Sequence, residues 1–228
     1  MTERLATWVW VGAAALACVA GMVNVVGYLG FEHQAITHLT GTTSLLGAAL
    51  AQGNLRSVLQ LAGMLLAFML GAVLSGLLIK DSVLQLGRRY GVALAFEAML
   101  LVLAVPLFEQ GYFAGPLLAA VAIGLQNAMA TTYSGAVIRT THLSGMVTDL
   151  GLLLGQLLRG IVIERRRLAV CLTVISGFLI GSLIGALLFS WLQFRTLLVP
   201  AALTGVTALA YGAYLSRHGH RHEHGNSR

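Results

Sequence analysis

Long uncharged apolar runs limit what this chain can become more than any other feature. A helix that crosses a bilayer needs about 20 mainly apolar residues. Segments of that kind occur at Leu5–Gly30, Ser57–Ile79, Tyr90–Phe108, Phe113–Ser134, Leu168–Leu192 and Thr196–Leu215. Charged residues make up only 10% of the chain, against about 25% in an ordinary soluble domain, so too few remain to clothe a water-facing surface. The expected fold is all-α, a polytopic membrane helix bundle with the lipid bilayer as its principal partner. Trp8, Trp10, Tyr90, Tyr112 and Trp191 fall near span ends, where amphipathic rings favour the interface. The first run is too long for the roughly 7–15-residue core of a cleaved signal and reads as a retained span.

Two shorter apolar segments, Thr40–Ala51 and Ser144–Leu158, each follow a polar turn, and the two turns match. The first reads Thr37-His38-Leu39-Thr40-Gly41 and the second Thr141-His142-Leu143-Ser144-Gly145. Further matches keep the same order: Gly21 and Asn24 with Gly124 and Asn127, Gly47 with Gly151, Gln52 with Gln156, and Phe68-x-x-Gly71 with Phe178-x-x-Gly181. This order points to two internal repeats, residues 1–108 and 109–216, followed by a His-rich tail over 217–228 that is too polar and short to fold.

The basic residues weigh the status of the short helices. If both cross, the chain has eight spans and its 14 Lys and Arg divide nine inside to five outside. If both are re-entrant there are six spans, and only Arg56 and Arg195 lie outside. The positive-inside rule favours six. Each half then holds an odd number of spans, so the halves are inverted; eight spans stand as the alternative. Both termini are expected on the cytoplasmic side of a cytoplasmic (inner) membrane. The net charge of +6 comes from these orientation clusters and not from a nucleic-acid-binding face.

Polar groups at membrane depth are costly and tend to be functional. The candidate solute-binding set is Asn24, Thr37, His38 and Thr40 in the first half and Asn127, Thr141, His142 and Ser144 in the second, with Glu97 and Asp149. Thr40 and Ser144 are expected as N-caps, whose helix ends carry free N–H groups and partial positive charge. Two such ends meeting at the repeat interface would make a spot for an anion or a small polar solute. The histidines would serve as hydrogen-bonding or proton-carrying groups. Against each stands a plainer role: a loop tie for the histidines, an interhelical bond for the asparagines, an arginine pair for Asp149. Cys18 and Cys171 read as buried and inert. No cofactor or metal set is expected, and no soluble catalytic motif occurs. Transport or channelling of a small solute is the favoured function; an intramembrane enzyme and a structural or regulatory subunit are the alternatives, and homo-oligomerisation is left open.

The run Gly21–Gly53, with His38-Leu39-Thr40-Gly41 and Leu45-Leu46-Gly47, resembles the YoaK-like family of bacterial membrane proteins, whose function is unknown. A second stretch carries the same likeness: Gly124-Leu125-Gln126-Asn127-Ala128, then Arg139-Thr140-Thr141 and Ser144-Gly145. The resemblance covers nearly the whole chain and implies a multi-span membrane protein without naming a substrate. This chain has Asn24 where relatives often carry an acid, and Thr42 where they carry asparagine. The first departure puts proton coupling through that position in doubt.

Overall fold

The computed structural model describes residues 7–31, 35–79, 88–134 and 138–223. Among them every regular element is helical: α1 (Thr7–Gly30), α2 (Leu39–Ala51), α3 (Leu55–Leu78), α4 (Arg88–Glu109), α5 (Ala114–Tyr133), α6 (Leu143–Leu158), α7 (Arg165–Leu192), a 3₁₀ turn at Gln193–Leu197, and α8 (Leu198–Glu223). Five apolar stretches are long enough to cross a membrane. The last, Arg165–Ala213, is 49 residues long and holds both α7 and α8, which the 3₁₀ turn separates. The outward faces are apolar, with Leu59, Leu66, Val73, Leu77, Leu179, Leu183 and Leu187 all exposed. A surface of that kind suits lipid and not water. Arg4, Lys80 and Arg228 lie outside the described residues.

Glycine sets how closely the long helices approach. A methyl on Gly21 would strike the carbonyl of Phe178, and one on Gly181 the carbonyl of Cys18. The matching positions meet in the same way: Gly124 lies on Phe68 and Gly71 on Val121. Between lipid-bathed helices, where no hydrophobic force drives association, such backbone contact supplies the packing energy. Thus α1 packs on α7, and α5 on α3, each long helix embracing one from the other half.

The same contacts give direction. Along α7, Gly177, Gly181 and Gly185 face Ala14, Cys18 and Met22 in turn, so α1 and α7 run parallel. Gly63 faces Leu117 and Gly71 faces Val121 and Leu125, so α3 and α5 are parallel too. In contrast, Phe31 just beyond α1 packs on Phe113 at the start of α5, with ring centroids 5.9 Å apart. Leu16, near the beginning of α1, clusters with Leu125 and Met129 near the end of α5. So α1 and α5 are antiparallel. It follows that α1 ends, and α3 begins, at one end of the bundle, while α5 ends and α7 begins at the other. Each short helix, α2 and α6, thus lies between two long helices that meet at one end of the bundle. At 13 and 16 residues the short helices are about 20 and 24 Å long, short of the ~30 Å core.

Both short helices stop the same way. Gly53 and Gly160 adopt φ of +65° and +73°. The next amides, of Asn54 and Ile161, donate back to the carbonyls of Ala49 and Gln156, both at 3.0 Å. This left-handed glycine stop closes the last turn. Asn54 then caps α3, its Oδ1 accepting from the Ser57 amide at 3.2 Å.

Two expectations differ from what is observed. The helices begin at Leu39 and Leu143, so His38 and His142 occupy the N-cap positions, not Thr40 and Ser144, and neither histidine makes a side-chain cap bond. The cause is steric: each imidazole folds over the third residue of its own helix, where only Gly41 or Gly145 leaves room. Also, α8 continues to Glu223, carrying helix into the tail expected to be unstructured from 217. A helix already nucleated in the bundle propagates easily into polar sequence. Residues 224–228 lie outside the description.

Candidate functional site

After α1 ends, the chain turns back along it. Thr37 donates both its amide (2.9 Å) and its hydroxyl (2.8 Å) to Asn24 Oδ1. Asn24 lies six residues before the end of α1, so the turn reaches about 9 Å inside that end. The second half repeats the dip with looser bonds. The Thr141 amide donates to Asn127 Oδ1 at 3.4 Å and the Thr140 hydroxyl reaches the same oxygen at 3.5 Å. Asn127 also lies six residues before its helix ends. Each asparagine satisfies a turn that would otherwise leave backbone donors unpaired at depth.

The second turn connects to something the first lacks. Thr140 also donates to Gln126 Oε1 at 3.4 Å. Gln126 faces Glu97 on α4. Glu97, Gln126 and Thr140 all have 0% exposure. Both carboxyl oxygens of Glu97 and Nε2 of Gln126 lack a hydrogen-bond partner of good geometry. Buried polar atoms are rarely left so, and each such case asks for a reason. Gln126 and Thr140 were missed as site residues in the sequence, where only the absence of a first-half counterpart for Gln126 hinted at them.

The remaining candidates are placed apart. α2 packs on α3 and α6 on α7, and the two short helices make no contact with each other. Because α1 and α5 are antiparallel, Asn24 and Asn127 fall on opposite sides of the bundle's middle, so the helix starts do not converge on one point. His38, Thr40, His142 and Ser144 are exposed on the outer flank of their helices. Asp149 pairs with Arg167 at 2.7 Å, both side chains partly exposed, near the start of α7.

The two ends of the bundle differ. One is sealed by phenylalanines: Phe108 stacks on Phe194 (5.0 Å), which Phe189 meets edge-on (5.7 Å), while Phe31 meets Phe108 edge-on (6.1 Å). Arg195 and Glu109 pair at 2.9 Å beside them. At the other end a groove of about 450 Å³ parts α1 from α8. Its walls include Gly12 and Leu16, Tyr90 and Leu94, Met129, and Thr207. Leu94 precedes Glu97 by one helical turn, and Met129 follows Gln126 by one, so the unpartnered pair lies one turn beyond the groove's wall.

Curated proteins and solved structures yield no match to this chain. A family model does match, described as a protein of unknown function (DUF1275), over residues 12–210. That stretch runs from within α1 to within α8, includes both polar turns and Glu97, and agrees with the YoaK-like resemblance of the motifs. The chain therefore belongs to the DUF1275 family of unknown function.

Proposed function

We propose that this protein moves a small polar or anionic solute across the cytoplasmic membrane, with both termini on the cytoplasmic side. The observation that carries the reading is the pair of re-entrant polar turns, docked on Asn24 and Asn127 about 9 Å inside opposite ends of the bundle. Non-helical backbone at that depth is tolerated where it is buried in protein or lines a path. Oppositely directed halves with broken or half-length helices are a recurring plan of transporters. The reciprocal glycine contacts support a duplicated, inverted ancestry. The charges support the orientation: Arg56 and Arg195 belong to the sealed end, whereas Arg89, Arg139, Arg159, Arg165, Arg166 and Arg167 gather at the groove end. We read the protein as non-enzymatic, because Glu97 is grouped with two uncharged side chains while His38 and His142 sit on the outer flank.

The test is flux. Purified protein in liposomes is challenged with urea, glycerol, formate, acetate or chloride, and the volume change is followed by light scattering. At least one solute is expected to pass faster than in protein-free vesicles. Asn24→Ala and Asn127→Ala, which undock the two turns, should each slow that flux by about tenfold in protein that still inserts, as for one lost contact of ~1.4 kcal/mol. No accelerated solute, or flux indifferent to both substitutions, would remove the proposal.

A further inference from the structure

We propose that Glu97 is a proton-binding site in the middle of the membrane, exchanging its proton through the groove between α1 and α8. This deepens the transport reading by naming its coupling ion, and rests on that reading for its purpose though not for its geometry.

Glu97 lies near the centre of α4, on the same buried face as Tyr90, Leu94 and Leu101. A carboxylate moved from water into an apolar interior is prohibitively costly unless it is paired; otherwise it takes up a proton. Among the described residues the surroundings supply no pair. α4 packs on α5, α8, the 3₁₀ turn and, lightly, α3. α5 offers Gln126; its one titratable residue, Tyr133, is the last of the helix, towards the groove end. The packed length of α3 offers none, its single charge, Arg56, being at the opposite end. The 3₁₀ turn offers Arg195, already held by Glu109 at the sealed end. α8 offers Tyr211, and α4 itself Tyr90 and the exposed Arg89, all towards the groove end; Cys18 of α1 lies in the groove wall. What remains beside the carboxyl is an amide. Gln126 can donate from its unpartnered Nε2 to the acid's carbonyl oxygen, while its Oε1 accepts from the Thr140 hydroxyl.

A proton site must also be reached. The aromatic cluster closes one approach. The groove opens the other, and its wall includes Leu94 and Met129, each one helical turn from Glu97 and Gln126 respectively. Rotation of those two flexible side chains would admit water without moving a helix. The counterpart seam, α4 against α5, is tightly packed where α1 and α8 are parted. The exchange path is therefore one-sided in this state.

Infrared spectroscopy of the full chain in liposomes tests this. At neutral pH the C=O stretch of a protonated, apolar-sited carboxyl is expected. It should vanish in Glu97→Gln and persist, shifted, in Glu97→Asp, which controls for folding. On transfer to D₂O the band should move as the proton exchanges. Gly12→Trp fills the groove at a position with nothing within 4 Å of an added Cβ, and should slow that exchange about tenfold, the cost of ~1.4 kcal/mol on the opening step. No such band at neutral pH, a band that survives Glu97→Gln, or exchange unchanged by Gly12→Trp would each overturn the proposal. Flux plays no part in this readout, so a silent flux assay would strike the transport reading alone.

Discussion

The two ends of this bundle are built from comparable helices but closed by different means. At the sealed end Phe31 meets Phe108 and Phe113, and Phe194 meets Phe108 and Phe189, so five rings link the ends of the helices. At the groove end α1 presents small residues, Gly12, Ala13 and Ala15, in the wall where it parts from α8. A scaffold of reciprocal glycine contacts would let either end close; side-chain volume decides which one does. The seal is thus a matter of a few rings, and the lesson is that side chains, more than the helices that carry them, set the two ends apart.

The strongest way to break that comparison is to remove a ring. Phe108 is 1% exposed and touches both Phe31 and Phe194. Phe108→Ala should cost about 3 kcal/mol or more through the cavity it leaves, lowering the melting temperature in detergent. Gly115→Ala attacks the same end from the backbone, since its methyl would meet the Phe108 amide nitrogen at 2.9 Å. Gly12→Ala at the groove end has nothing within 4 Å and should stabilise slightly, by about 0.5 kcal/mol, through helix propensity. Equal loss from both glycine substitutions would erase the distinction between the ends.

The two polar turns offer a finer contrast. Asn24→Ala removes an acceptor serving two bonds of 2.8 and 2.9 Å and should cost about 2 kcal/mol. Asn127→Ala loses bonds of 3.4 and 3.5 Å and should cost roughly half as much. Thermal unfolding of the two variants side by side reads the difference, and a reversed order would show that the looser turn is the structural one. Smallest of all is Asp149→Asn. Its partner Arg167 keeps 43% of its side-chain surface, so the melting temperature should hardly move.

The long helices were legible because each is a run of apolar residues whose length alone satisfies the bilayer. The two polar turns were legible from the repeated Thr-His-Leu pattern; the arginine bias favours six spans but does not itself show where the turns dock. Their docking partners Asn24 and Asn127 were named from matched positions, with an interhelical bond as the plain alternative; each bonds instead to the turn of its own half. What the residue string hid was depth and direction around an axis. Asn24 and Asn127 look like one shared site until antiparallel packing sets them on opposite sides of the middle. Asp149 looked like a membrane carboxylate because Arg167, 18 residues on, comes close only through the fold of α6 on α7. Gln126 and Thr140 were passed over because their meaning depends on Glu97, which only the packing of α4 on α5 brings near them. The positions of the histidines turned on a steric detail, the missing Cβ of Gly41 and Gly145.

The account depends most on the two short helices turning back without crossing. With Cys18 and Cys171 replaced by serine, single cysteines at Gln52 and Ile161, just past the ends of α2 and α6, can be labelled with a membrane-impermeant maleimide on sealed vesicles. Opposite directions for the two halves require the two sites to react from opposite faces of the membrane. Labelling of both from one face would mean that the short helices cross, and would contradict the arrangement from which the rest follows.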